Sequence, residues 1–258
     1  MLKNKRKIPL KDGEIIPISF NYHFVRIFGE NSNIDIIEYF ISDYYDIPIE
    51  EVVGNVEILS RDLPQDSRGE KSKQIDLLLK LGKRKINIEI SNSNSKGRKE
   101  RDLVYLAKIH GQQLRYKDNY ENIGYSWQIR LNNEDEKEGK FIRTYYLTSD
   151  DEERDIYSEK FRIDDINLAC AQNIEYNETN EKRVRWCRII AANSRNEIVK
   201  ELGDKLMNKE SREKLIKEVE KNSRDEEVYD IYEKYSTFEM EKQSEIYEAI
   251  QKNTEEVT

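Results

Sequence analysis

Cysteine and histidine are nearly absent from this chain of 258 residues, which has two of each: Cys170 and Cys187, His23 and His110. With no C-x-x-C pair and so few soft or imidazole ligands, a tetrahedral structural zinc site is not expected. Two lone cysteines read as free thiols in a reducing, cytoplasmic setting rather than as a disulfide framework. Long apolar runs are missing too. Nothing approaches the ~18–20 apolar residues of a membrane span, so no membrane partner is expected. The opening "MLKNKRKIPLKDGE" is basic but lacks the apolar segment of a secretory signal, and we read residues 1–19 as a solvated basic arm. Apolar residues are scarce in general, 36% against 37% charged, where soluble chains usually carry roughly 45–50% (glycine included) and about 25%. Such a composition can mean disorder. Here 44 basic residues nearly balance 52 acidic ones, and 16 tyrosines supply bulky half-buried surface, so we read a folded protein with an economical core. The net charge of −8 argues against coating nucleic acid with the whole surface but leaves room for a local basic groove.

What is present is patterned. Phe24, Ile27 and Phe28 stand at helical spacing, Gly29 stops that helix, and Ser32 or Asn33 can cap the next one through Ile36, Ile37, Phe40 and Ile41. "VVGNVEIL" reads as a strand, followed by two more, Gln74–Leu81 and Lys85–Ser91, joined by "GKRK" as a hairpin. After a loop in which Asn94 or Ser95 can cap, Leu103, Leu106, Ala107, His110 and Leu114 trace an amphipathic helix to about Tyr116. "GYSWQIRLNN", "FIRTYYLTS" and "FRIDDINLA" read as strands. From Glu181 on, helical spacing without proline takes over. This divides the chain into a core over residues 20–180 and a helical C-terminal region over 181–258.

Two acids interrupt the hairpin: Asp76 in "QIDLLLKL" and Glu89 in "INIEIS". A turn centred on Lys83 and Arg84 sets Leu78 opposite Glu89 and Asp76 opposite Ser91. Period two then puts Asp76, Glu89 and Ser91 on one face. Carboxylates on diagonal neighbours, roughly 7–8 Å apart at Cα, can converge on one hard cation. Acids on the solvent face of a hairpin would need no such explanation. Flanking helices imply that the sheet is covered, however, and covered carboxylates need a cation or donors.

These residues resemble a known pattern. "QIDLLLKLGKRKINIEIS" resembles the D-x(n)-E-x-K core of the PD-(D/E)XK nuclease superfamily, and the flanks are similar to its transposase-related, recombination-promoting branch. "NYHFVRIFG" is similar to that branch's D-x-x-F-K-x-[LIV]-F-G opening, with Asn21 for the usual Asp and Val25 for the usual Lys. "RDLVYLAKIHGQQLRYKDNYENI" resembles its R-x-x-x-Y helix followed by Q-L, and "RVRWCRII" a later tryptophan-bearing helix. The resemblance implies an α/β restriction-endonuclease-like core, a mixed central sheet flanked by helices, and the helical spacing from Glu181 adds a helical C-terminal region to it. The resemblance also implies Mg²⁺-dependent cleavage of DNA, Mn²⁺ serving as a substitute, with Asp76 and Glu89 as metal ligands and Asp76, Glu89 and Ser91 at the catalytic positions. Ser91 stands where a lysine or glutamine normally assists. Lys108 on the next helix is a candidate replacement, with Gln112 or Gln113 to position water.

The segment 96–117 reverses the chain's acidity. Lys96, Arg98, Lys99, Arg101 and Lys108 are the candidate DNA contacts, near a helix N-terminus that can itself meet phosphates. Tyr105, Tyr116 and Tyr120 could stack on bases, although tyrosines so spaced also serve as core or rim; Trp127 and Trp186 are assigned to packing. A homodimer would suit a duplex break. The competing expectation, favoured by Asn21, Val25 and Ser91, is a catalytically decayed nuclease fold retained as a nucleic-acid-binding or regulatory interaction module.

Overall fold

The computed structural model describes residues 9–63, 73–91, 97–114, 117–133 and 140–255. In chain order the elements are α1 (Asn21–Phe28), α2 (Ile34–Tyr45), α3 (Ile49–Val52), β1 (Val56–Ile58), β2 (Asp62–Leu63), β3 (Lys73–Gln74), β4 (Leu77–Leu81), β5 (Arg84–Ser91) and α4 (Arg98–Gly111). Then come β6 (Tyr125–Asn132), β7 (Ile142–Thr148), β8 (Ile156–Asn167), α5 (Leu168–Ala171), α6 (Glu181–Ala191), α7 (Arg195–Leu202), α8 (Lys209–Ser223) and α9 (Glu226–Glu255). Six strands form one mixed sheet in the order β1-β4-β5-β6-β8-β7, while β2 and β3 make a separate ribbon. The pairs β5/β6 and β6/β8 are parallel and the rest antiparallel. A parallel pair needs a crossover, and α4 lies on the one from β5 to β6. The architecture is the expected α/β one, with helices on both sides of a mixed sheet and further helices after it.

Period two sorts β5 into two very different faces. Ile86, Ile88 and Ile90 join Leu77, Leu79 and Leu81 of β4 in the main core, beneath Phe24 and Phe28 of α1, Phe40 and Ile41 of α2, and Trp186 of α6. Trp186 is fully buried, its ring 5.5 Å from Phe40 and 6.2 Å from Phe28, and its Nε1 donates to Asp43 Oδ2 at 2.9 Å. Helices α7 and α8 add Ile198, Leu202, Leu215 and Val219 to the same core. The other face carries Asn87, Glu89 and Ser91 and is roofed by α4, whose Ile109 packs on Leu78 and Ile75.

Three local readings change. The hairpin turn is Gly82–Lys83, so Leu81 pairs with Arg84 and Leu77 with Ile88. A two-residue hairpin turn of this kind wants positive φ at its first residue, and Gly82 takes φ +57°. The register thus slides by two residues, which keeps every side chain on its expected face and sets Asp76, just before β4, against Glu89 itself. Second, α4 ends at Gly111 and buries Arg98, Asp102, Leu106 and Ile109, while Leu103 is half exposed. The apolar stripe misplaces this helix because the sheet face beneath its first turns is polar. Third, Ile15, Ile16 and Ile18 are buried, with Ile15 N–H donating to the Asn193 carbonyl (3.1 Å) and Ser19 N–H to that of Ile190 (2.8 Å). The stretch 14–19 is therefore packed rather than a solvated arm. No helix among the described residues is long and apolar enough to cross a membrane.

Candidate active site

Asp76 and Glu89 meet under the roof of α4. The Ile90 N–H donates to Asp76 Oδ2 at 2.8 Å, and the side-chain amide of Asn21, from the first turn of α1, hydrogen-bonds the same carboxyl. Glu89 is only 4% exposed and accepts from Asn87 Nδ2 at 3.2 Å. Burial, and then the charge of Asp76, push the Glu89 carboxyl up to about 8, against the opposing pull of the Asn87 amide. Burial also raises Asp76, in spite of Ile90 N–H, Asn21 and the charges of Arg61 and Arg101. Without a cation the two acids therefore keep a proton between them at neutral pH.

That arrangement suits a hard divalent ion. The donors are carboxylate oxygens alone, and no group of three or more His, Cys, Asp or Glu side chains gathers among the described residues. Mg²⁺ commonly binds through one or two carboxylates and keeps waters or substrate phosphates in its other positions. Two acids are enough for such an ion and too few for a closed zinc site.

Positive charge at this place comes from Arg61, which pulls on Asp76, and from Arg101. Arg101 lies on the exposed side of α4, and its charge bears on Asp76, Glu89 and Asp102. Its Cζ sits 5.8 Å above the ring of Tyr105, one helical turn on, and Tyr105 in turn packs against the Ile75–Leu78–Ile109 cluster. The R-x-x-x-Y spacing is thus an i,i+4 stack that props the guanidinium on a ring.

With the fold and the acid pair in view, the comparison with known families is decisive: residues 19–249 match the model of the PD-(D/E)XK nuclease family transposase. The chain belongs to this family. No curated protein and no solved structure gives a significant match.

The other residues expected at this nuclease-family site scatter. Ser91 shares the face of Glu89, with Asn132 beside it on β6. Lys108 lies seven residues beyond Arg101, roughly 10.5 Å of helix rise away, and it is Arg101 whose charge bears on the acids. Gln112 caps the far end of α4. Gln113 donates to Ser126 Oγ (2.6 Å) and to the Tyr125 carbonyl (3.4 Å), at the start of β6. Ser126 is four residues, about 13 Å of strand, short of Arg130, which pairs with Glu89. Lys99 is exposed on the first turn of α4, whereas Arg98 is 4% exposed, with its charge on Asp102. Of these two expected DNA contacts, Lys99 is thus at the surface and Arg98 is not. Lys96 lies outside the described residues, as do Asn94, Ser95 and Tyr116.

Several participants escape sequence reasoning. Parallel register sets Arg130 beside Glu89, yet its guanidinium turns to Asp102 (Nε–Oδ2 3.6 Å) and Asp165 (Nη1–Oδ2 3.3 Å). Asn132 Nδ2 donates to Asp165 Oδ1 at 2.6 Å. Asp102, Arg130 and Asp165 of this cluster line a cavity of about 210 Å³ that opens between Lys99, Leu103 and Tyr145. A larger one, about 470 Å³, sits at the turn end of the hairpin beside Glu57, Lys80 and Arg84 and is lined by neither acid.

Proposed function

We propose that this chain is a Mg²⁺-dependent DNA endonuclease, with Mn²⁺ as a substitute, that hydrolyses phosphodiester bonds. One observation carries the reading: two buried carboxylates, Asp76 and Glu89, face each other, and the charge of Arg101 on the helix above bears on both. Asp76 and Glu89 would hold the cation, which polarises a phosphate and lowers the pKa of bound water. The Asn21 amide and the Ile90 N–H fix the Asp76 carboxyl in place. Arg101 offers a fork for phosphate oxygens. Because a guanidinium stays protonated, it stabilises charge there and does not accept a proton. Lys99, exposed on the first turn of α4, adds a contact to the phosphate backbone. In this reading Arg101 makes good the charge that Ser91 lacks.

A second reading, a nuclease fold that binds DNA without cutting it, is favoured by Ser91 at the assisting position. One set of measurements separates the two. Calorimetric titration of Mg²⁺ and Mn²⁺ accompanies plasmid nicking for the wild type, Asp76→Asn, Glu89→Gln and Arg101→Ala. We expect both acid variants to lose metal binding and nicking. Arg101→Ala should keep metal affinity and lose about 10²-fold in nicking, as removal of one electrostatic stabiliser does. Nicking that survives both acid substitutions overturns the proposal. Metal binding without nicking in the wild type favours the second reading.

A further inference from the structure

Asn87 and Gln128 are both fully buried, and they meet beneath α4 beside Glu89. Parallel register sets them side by side on β5 and β6. One amide nitrogen, Asn87 Nδ2, lies 3.2 Å from Glu89 Oε1 and 3.3 Å from Gln128 Oε1 and donates to both. The two remaining polar atoms of the pair, Asn87 Oδ1 and Gln128 Nε2, are buried and have no hydrogen-bond partner among the described residues.

For stability alone this is a poor choice. Leu78 faces Asn87 across the hairpin, so a leucine at position 87 would pack against it. A buried polar atom without a partner costs about 1–3 kcal/mol, and here there are two. What the amides provide is direction. Glu89 has Asp76 on its β4 side. On its β6 side stands Arg130, whose guanidinium is committed to Asp102 and Asp165. Among the described residues, Asn87 is thus the side chain that hydrogen-bonds the Glu89 carboxyl, and Gln128 is the brace that keeps the Asn87 NH₂ pointed at it.

We propose that Asn87 is a positioning residue, braced by Gln128, that orients the Glu89 carboxylate for cation binding opposite Asp76. This rests on the metal-site reading above. It goes beyond that reading in assigning to two buried amides a role that the acids alone would not require.

The test is Mg²⁺ affinity by calorimetry, with urea unfolding on the same samples, for the wild type, Asn87→Leu, Gln128→Met and the double variant. Loss of an outer-sphere partner commonly lowers metal affinity 10–100-fold. That loss is expected for Asn87→Leu, with some loss of stability as well, because Glu89 Oε1 and Gln128 Oε1 both lose their donor; Gln128→Met, which removes an unpaired amide nitrogen, should be about as stable as the wild type. Gln128→Met should move affinity the same way by less, and the double variant should bind no worse than Asn87→Leu, since the brace acts only through Asn87. A purely structural role would lower stability and leave affinity unchanged. Affinity within twofold of the wild type in both folded single variants overturns the inference while leaving the metal site standing. A wild type that binds no Mg²⁺ overturns both. If Asn87→Leu does not fold, Gln128→Met decides by the same affinity criterion.

Discussion

The two faces of β5 are built from alternate residues of one eight-residue strand, yet they obey opposite rules. Ile86, Ile88 and Ile90 enter an apolar core under α1, α2 and α6. Asn87, Glu89 and Ser91 enter a layer of amides, acids and arginines under α4. On the first face every buried group favours folding by leaving water. On the second, burial sets a like-charged pair together and leaves amide atoms without partners, which works against folding. Fold and site are thus separated by a single step along the chain. The apolar face stabilises the sheet, and the polar face uses part of that stability to hold two acids together, as the proposed cation site requires.

Substitutions one residue apart should break this symmetry most visibly. Ile88→Ala empties a fully buried position and should lower unfolding free energy by about 2–5 kcal/mol; Trp186→Ala, on the same side of the sheet, should lower it by about 3–5 kcal/mol. Glu89→Gln, next to Ile88, should instead raise stability by about 1 kcal/mol at pH 8 in the absence of metal, because it removes one of two repelling buried acids. Urea unfolding of the three variants checks both signs. A destabilised Glu89→Gln would mean that the polar layer contributes to the fold as the apolar one does.

The pH dependence of stability should also run in opposite directions on the two sides. His23 of α1 is fully buried, its Nδ1 lies 3.3 Å from the Pro17 carbonyl, and its Nε2 has no hydrogen-bond partner among the described residues. Burial lowers its pKa from 6.5 to about 4. Between those values the unfolded chain takes up a proton that the folded one refuses. The stability that neutral His23 contributes is therefore complete above pH 6.5 and falls by roughly 3 kcal/mol as pH drops to 4. Glu89 is raised from 4.5 to about 8. Here the folded form holds the proton, so stability falls as pH rises across that window. Unfolding curves from pH 4 to 8.5 should lose the first slope in His23→Gln and the second in Glu89→Gln. Mg²⁺ should flatten the second slope and leave the first intact.

Legibility in the sequence followed the same division. Alternation in "INIEIS" was enough to place Glu89 and Ser91 on one face, and the helical spacing of Phe24, Ile27 and Phe28 was enough for α1, because local periodicity encodes which side meets an apolar core. It failed at α4, whose inward residues Arg98 and Asp102 answer the charges of Arg130 and Asp165 rather than an apolar surface. Those partners come from three separate stretches brought together by parallel register, and nothing local announces such pairing. Asn21 read as a departure from the family's opening, yet its amide reaches Asp76. Asn87 stood in plain view two residues before Glu89; only the neighbouring strand shows what its amide holds. The R-x-x-x-Y spacing was visible as a motif without a reason, and the ring under Arg101 supplies one.

That stack yields the smallest and most selective effect. A cation over an aromatic ring at an exposed site is worth about 0.5–1 kcal/mol, which sets how firmly Tyr105 holds Arg101 beside the acids. Tyr105→Leu keeps an apolar side chain against Ile75, Leu78 and Ile109 and removes the ring. If the proposed nuclease activity holds, nicking by this variant should fall about two- to fivefold, with Mg²⁺ affinity unchanged, because both carboxyls and their hydrogen-bond donors stay in place. Tyr105→Phe retains the ring and should match the wild type. In an Arg101→Ala background Tyr105→Leu should have no further effect, since the ring acts only through the guanidinium it supports. A full additional loss in that background would instead place the Tyr105 ring in contact with DNA.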